Sequence, residues 1–124
     1  MRLHHVQVGI PAGGEEAGRR FYRDGLGLTE VGKPAELATR GGAWFRDGGA
    51  EVHLGVEADP RPPERAHLAL AVDGTADLEG LAARLAGLGY DVDWSQRHNA
   101  EGFERIHVRD PFGNRVEVVH EVTD

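Results

Sequence analysis

The two halves of this chain repeat one another at a nearly constant distance. His5-Val6-Gln7-Val8 is matched 62 residues later by His67-Leu68-Ala69-Leu70. Glu51-Val52-His53-Leu54 is matched 64 residues later by Arg115-Val116-Glu117-Val118. A drift of two residues over half a chain is what one or two loop changes leave after a duplication. The sequence therefore predicts two copies of one module.

The length of the chain limits how these modules can fold. The whole chain has 124 residues, enough for one domain. Each half has about 60 residues, which is near the lower limit for folding alone. We therefore expect one domain over residues 1–124 with a shared core. Module one covers about 1–57, a proline-rich charged linker covers 58–65, and module two covers about 66–124.

Composition excludes several kinds of site and partner. The chain has no cysteine, so any metal must be held by imidazole and carboxylate groups. A formal net charge of −7 with dispersed basic residues argues against a nucleic-acid partner. Because the chain opens directly into a strand pattern, we expect no signal peptide, and no apolar run approaches the ~18 residues of a membrane span. We expect a cytoplasmic protein that binds a small molecule and no membrane.

Local patterns predict the order βαβββ twice, which is an α+β fold. Helices are predicted over Glu15–Asp24 and Thr75–Leu88 from their apolar spacing and terminal residues. Asp110–Asn114 is predicted to form the last hairpin turn. The predicted strands are 3–10, 28–32, 43–46, 51–56, 66–72, 90–94, 104–108 and 115–120.

Four polar residues on these strands are expected to share the helix-free face of the sheet. Successive strand side chains point to opposite faces. The apolar neighbours of each polar residue would pack under a helix, which leaves the polar residue on the other face. These four residues are His5, His53, His67 and Glu117. The opposite alternation of His4 and His120 places those two histidines on the helix side or at an edge.

Four motifs together cover almost the whole chain and carry a family resemblance. They are Leu3-His4-His5-Val6, Phe21-Tyr22-x-x-Gly25-Leu26-Gly27-Leu28, Ala66-His67-Leu68-Ala69-Leu70, and Asp110-Pro111-Phe112-Gly113-Asn114-x-x-Glu117. With these motifs the chain resembles the vicinal oxygen chelate superfamily, which includes glyoxalase I, extradiol dioxygenases and bleomycin resistance proteins. The resemblance implies two βαβββ modules that form a cup-shaped mixed sheet with helices on its outer face. It also implies a homodimer.

The resemblance further implies a metal site. His5 matches the ligand of the first strand, His67 its counterpart after the linker, and Glu117 the carboxylate of the last strand. His53 matches the fourth position, where bacterial glyoxalase I has a glutamate, so His53 is expected to be a ligand or a general base. The expected catalytic residues are His53 and Glu117. Such donors suit a divalent Fe, Mn, Ni, Co or Zn ion and leave coordination positions open for a substrate.

Three functions stay open at the level of the sequence. The first is a metal-dependent lyase or isomerase of the glyoxalase type that chelates a small substrate through vicinal oxygens. Histidine at position 53 argues against a simple glyoxalase I. The second is an extradiol-type dioxygenase, and the third is a metal-free drug-binding protein of the bleomycin-resistance kind. The expected substrate contacts are Arg105, whose guanidinium could pair with a carboxylate, together with His107, Arg40 and Trp44.

Overall fold

The chain folds into two mixed β-sheets, one in each half of the sequence. A computed structural model describes residues 1–122 of the 124-residue chain. It divides into two compact units, Met1–Pro62 and Pro63–Asp124. One sheet has four strands and the other has three, and helices accompany both. The predicted α+β fold class is confirmed.

The first unit carries the four-stranded sheet, in the order β1-β4-β3-β2. β1 runs parallel to β4, whereas the β4–β3 and β3–β2 pairs are antiparallel. Its elements are β1 (Val6–Ile10), α1 (Glu15–Arg19), a π-helix (Arg20–Gly25), β2 (Thr29–Val31), a 3-10 helix (Ala35–Arg40), β3 (Ala43–Asp47) and β4 (Ala50–Val56).

The predicted helix over Glu15–Asp24 changes its hydrogen-bonding pattern halfway. It is an α-helix only to Arg19 and continues as the π-helix. Phe21 and Tyr22 lie in this second part, and both are fully buried although they are neighbours in sequence. The ring of Tyr22 stacks on that of Phe45 in β3, with centroids 5.9 Å apart. The helix is thus attached to the sheet through aromatic packing, which is a large hydrophobic contribution.

The second unit carries the three-stranded sheet, in the order β5-β7-β6. β5 is parallel to β7, and β6 is antiparallel to it. The helix α2 packs against β6 and β7. Its buried residues recur at helical spacing, as the sequence predicted: Leu78, Leu81, Ala82 and Leu85. The elements are β5 (His67–Ala71), α2 (Thr75–Gly87), β6 (Phe103–Arg109) and β7 (Arg115–Glu121).

The predicted strand over 90–94 is wrong. Within residues 1–122 this segment contributes only an isolated bridge between Asp93 and His107. The chain turns immediately afterwards, because the Ser95 amide donates to the Asp93 carboxylate at 2.8 Å and the Arg97 amide donates to the Trp94 carbonyl at 3.0 Å. A ladder cannot continue through that turn. The second module is therefore βαββ with one bridge, rather than a full βαβββ.

The predicted turn over Asp110–Asn114 is confirmed, and it sets the start of β7. One carboxylate oxygen of Asp110 accepts hydrogen bonds from the backbone amides of Phe112 at 2.9 Å and Asn114 at 2.8 Å. The Asn114 side chain donates to the other oxygen at 2.9 Å. Gly113 has a φ of 91°, which favours glycine.

In the described part of the chain no helix is long and apolar enough to span a membrane.

Candidate functional site

Strand register brings the predicted metal ligands together in pairs, one pair in each unit. In the first sheet His53 is paired with Gln7 in the register of β1 and β4, and the ring of His5, which precedes β1, stacks on the ring of His53. In the second sheet Glu117 is paired with Ala69, and His67 lies two residues before Ala69. Residues two apart share a face of a strand. The convergence of both pairs on one ion stays a prediction.

His53 lies between two aromatic rings, and we call His5, His53 and Trp44 the His53 stack. The His5 ring lies 4.1 Å from the His53 ring at an interplanar angle of 15°. The Trp44 indole covers the ring at 3.8 Å and 2°. Trp44 is opposite His53 in the β3–β4 register, which explains this contact. Only 4% of His53 is exposed, so its chemistry is set by these neighbours rather than by bulk water.

Glu51 is the functional candidate that sequence reasoning missed. Its Oε2 lies 2.8 Å from Nε2 of His53, and its Oε1 accepts a hydrogen bond from Nε of Arg46 at 2.6 Å. The hydrogen bonds from Arg46 and then His53 lower the pKa of Glu51 to about 2. Glu51 is therefore a carboxylate near neutral pH. Strand alternation could have identified Glu51, because it lies two residues before His53 in β4 and residues two apart share a face of a strand.

The protonation of His53 follows from its burial and from Glu51. Burial lowers the pKa of His53 from its ordinary value, and the hydrogen bond to Glu51 opposes part of that change. The imidazole is therefore mainly neutral near pH 7. Because the Glu51 carboxylate can only accept, Nε2 of His53 donates and Nδ1 keeps the lone pair. That nitrogen can bind a metal or accept a proton.

The alternation argument fails for His4, because β1 begins only at Val6. The Nδ1 atoms of His4 and His5 lie 2.9 Å apart, and their rings meet edge to face at 5.2 Å. Nδ1 of His4 is also 4.0 Å from Oε2 of Glu51. The predicted position of His4 at an edge agrees with β1 being an edge strand of the first sheet. The side chain of His4 nevertheless lies beside His5 and Glu51, since residues before a strand need not follow its alternation.

Glu117 in the second unit is held by two basic side chains. Arg105 donates to Oε1 of Glu117 at 2.8 Å, and Nε2 of His107 lies 3.1 Å from the same oxygen. Glu117 and His107 are paired in the β6–β7 register and are 7% and 5% exposed. We call Arg105, His107 and Glu117 the Glu117 cluster. Two residues predicted as substrate contacts thus lie against the predicted carboxylate ligand.

His107 has a buried nitrogen that forms no hydrogen bond. Burial, followed by the charge of Arg115, lowers the pKa of His107 from its ordinary value. The Nε2 atom of the ring faces Oε1 of Glu117 at 3.1 Å, and Nδ1 is the other ring nitrogen. This Nδ1 atom is buried and has no hydrogen-bond partner among residues 1–122. Buried polar atoms without a hydrogen-bond partner are uncommon in folded proteins.

His67 and Arg40 have simpler surroundings. Nδ1 of His67 lies 2.8 Å from the carbonyl oxygen of Arg65. Because a carbonyl oxygen can only accept a hydrogen bond, Nδ1 is the donor. The lone pair of neutral His67 is then on Nε2. Its ring lies 6.3 Å from that of His107. Arg40 is exposed at the end of its 3-10 helix, and within the described residues no hydrogen bond or ion pair joins it to the His53 stack.

Comparisons with known proteins agree with this fold. The family model described as the Glyoxalase/Bleomycin resistance protein/Dioxygenase superfamily matches residues 2–118. The structure is similar to that of a glyoxalase family protein from Bacillus anthracis, with 38% sequence identity and a TM-score of 0.87. That match covers 98% of this chain and 95% of the other. A search of curated proteins gave no match.

Two more distant structures share the fold alone. A glyoxalase/dioxygenase from Nostoc punctiforme is 21% identical with a TM-score of 0.77, over 98% of this chain and 92% of that one. The fosfomycin resistance protein FosX from Listeria monocytogenes is 11% identical with a TM-score of 0.75, over 100% of this chain and 94% of that one. The family model spans nearly the entire sequence. This chain belongs to the Glyoxalase/Bleomycin resistance protein/Dioxygenase superfamily.

Proposed function

We propose that this protein is a metal-dependent enzyme that binds a small molecule through adjacent oxygens and transfers a proton, as a lyase or isomerase does. The observation that carries the proposal is the buried pair of His53 and Glu51. A neutral imidazole with a free lone pair, oriented by a carboxylate, is the arrangement of a general base. The fold family makes such chemistry plausible without specifying it.

The donor types of the predicted ligands, imidazole and carboxylate, suit a divalent metal ion. We propose His5, His67 and Glu117 as its ligands, with His53 as a fourth ligand or as the base. Both contacts to Glu117 fall on Oε1, so Oε2 keeps its lone pairs for a metal. The carbonyl of Arg65 sets the tautomer of His67, as partners of metal-binding histidines commonly do. When bound, the ion would polarise the substrate oxygens and stabilise negative charge on them.

The side chains around these ligands have proposed roles of their own. His53 takes a proton from the carbon beside the bound oxygens and returns one to the product. Trp44 covers one face of His53 and excludes water from it. Arg105 and His107 orient the carboxylate of Glu117. Direct contact of Arg105 with a substrate carboxylate stays a prediction, because its guanidinium also donates to Asn99 at 2.7 Å.

Proton exchange tests the proposal. Hydroxyacetone has adjacent oxygens and exchangeable carbon-bound protons, and deuterium incorporation from D₂O is followed by NMR. We expect exchange in protein loaded with Zn²⁺, Ni²⁺ or Mn²⁺ and at least a ~100-fold slower rate in His53→Gln, the usual minimum for a general base. The matched control is His98→Gln, an exposed histidine, which should exchange at the wild-type rate.

Metal content separates the possible outcomes. Untagged wild-type protein is expected to hold a divalent ion that Glu117→Gln binds more weakly, while His53→Gln keeps the ion if His53 acts as base. Equal exchange by wild type and His53→Gln would overturn the proposed proton transfer. Oxygen uptake with catechol and Fe²⁺ would favour the dioxygenase. Tight binding of bleomycin by metal-free protein, unchanged in His5→Ala, would favour the drug-binding protein.

A further inference from the structure

A second set of metal-binding side chains lies at the amino terminus of the first unit. Within residues 1–122, His4, His5 and Glu51 form one group whose ligand atoms all lie within 4.8 Å of one another. We call these three residues the amino-terminal cluster. It shares only His5 with the ligands proposed above and includes no residue of the second unit.

The spacing of its atoms suits a shared ion. Two metal–nitrogen bonds of about 2.1 Å at a right angle would place the nitrogens about 3 Å apart. The Nδ1 atoms of His4 and His5 are 2.9 Å apart. The distance of 4.0 Å from Nδ1 of His4 to Oε2 of Glu51 is within the ~4.2 Å that two such ligands can span across one ion.

An ion can reach the amino-terminal cluster from solvent through the exposed His4, and the carboxylate of Glu51 can bind it there. The His4 side chain is 65% exposed, whereas that of Glu51 is 8% exposed. Arg46 occupies Oε1 of Glu51, and Oε2 has a second lone pair beside its contact with His53. Two imidazoles and one carboxylate favour Zn²⁺, Ni²⁺, Co²⁺ or Cu²⁺ over Mg²⁺ and Ca²⁺, which prefer all-oxygen sites.

We propose that His4, His5 and Glu51 form a transition-metal site contained within the first unit. It shares His5 with the proposed catalytic ligands, so the two sites compete for that residue. An ion there connects the residues before β1 to β4. Because the ion binds only the folded cluster, it also raises the stability of the fold by mass action.

Zinc titration of a chain without the second-unit ligands tests this proposal. The protein is untagged and metal-free, and it carries His67→Ala and Glu117→Gln. Calorimetry with Zn²⁺ is expected to show one bound ion. Adding His4→Ala should weaken Kd at least about tenfold, since one of three ligands is lost. Adding His98→Ala removes a histidine of similar exposure, 69%, and should leave Kd unchanged.

Spectroscopy identifies the ligands directly. In ¹H–¹⁵N spectra, zinc is expected to shift the imidazole nitrogens of His4 and His5 in the same background, and Glu51→Gln should reduce those shifts. An unchanged Kd after His4→Ala, or unshifted His4 nitrogens, would overturn the amino-terminal site. Zinc binding with no proton exchange in the wild type would instead contradict only the proposed enzyme activity. Unaltered circular dichroism confirms that each variant folds.

Discussion

The charge of one residue, His53, depends on a balance between opposing neighbours. Its burial in the His53 stack disfavours the imidazolium form, whereas the carboxylate of Glu51 favours it. Burial is the larger of these effects, so the pKa of His53 is lowered. The neutral form suits both proposed roles, because only a ring with a free lone pair can bind a metal or accept a proton.

Removing the charge of Glu51 should lower the pKa of His53 further. In Glu51→Gln the amide oxygen can still accept Nε2–H, but no negative charge stabilises the imidazolium. The measurement is the ¹H shift of the His53 ring against pH in metal-free protein. Asp47→Asn removes an acid from the same hairpin and should leave the titration of His53 nearly unchanged. A rise in the pKa of His53 in Glu51→Gln would contradict this balance.

At the scale of elements, α1 is tied to the chain that enters β3. The Gly42 amide donates to Oε1 of Glu15, the first residue of α1, at 3.1 Å. Gly42 has a φ of 83°, and a Cβ at this position would collide with the Leu54 carbonyl oxygen. Only glycine fits there, because both the conformation and the close approach exclude a side chain.

The hydrogen bond between Gly42 and Glu15 should make the free energy of unfolding depend on pH. The Gly42 hydrogen bond lowers the pKa of Glu15 from its ordinary value of 4.5. The ionised carboxylate of Glu15 therefore stabilises the fold above pH 4.5. This stabilisation is lost as the pH falls through the lowered pKa of Glu15 in the folded protein. Glu15→Gln should reduce the free energy of unfolding at pH 7 by about 1 kcal/mol or less, because the group is partly exposed.

Urea denaturation at several pH values measures this effect. The difference between wild type and Glu15→Gln should be largest near pH 7 and should shrink toward pH 3. Glu16→Gln is the matched control, because Glu16 is its exposed neighbour and pairs with Arg19 instead. If the difference in the free energy of unfolding stays constant or grows toward pH 3, the carboxylate of Glu15 does not cause it.

At the scale of the whole molecule, each unit carries its own tryptophan. Trp44 belongs to the His53 stack, and Trp94 lies in the second unit, where the Arg97 guanidinium sits 4.6 Å from its ring centre. These two residues are the only tryptophans of the chain. Fluorescence of a variant that keeps one of them therefore reports on one unit.

The two units should unfold together. Each contains about 60 residues, a size at which independent stability is marginal. Trp44→Phe and Trp94→Phe should therefore give coincident fluorescence transitions in urea, each matching the transition of the same variant by circular dichroism. Separate midpoints for the two probes would show that the units fold independently, which would contradict the shared core expected from the sequence.

Much of the fold was accessible to sequence reasoning because its signals are local. The α2 helix, the Asp110–Asn114 turn and most strands follow from periodicity and turn residues. The alternation of residues 90–94 resembles that of a strand, whereas hydrogen bonds at Asp93 and Trp94 turn the chain there. The apolar spacing likewise does not indicate the π-helical hydrogen bonding of 20–25, in which the neighbours Phe21 and Tyr22 are both buried.

The sequence alone determined the repeat, the α+β class and the alternation of His53 and Glu117 with apolar neighbours along their strands, because side-chain direction along a strand is a local property. Only the tertiary structure decided which groups touch them. Strand pairing placed Trp44 over His53 and His107 beside Glu117, and the chain before β1 brought His4 to His5. Such contacts depend on register and on where strands begin, and both are set by packing between elements distant in sequence.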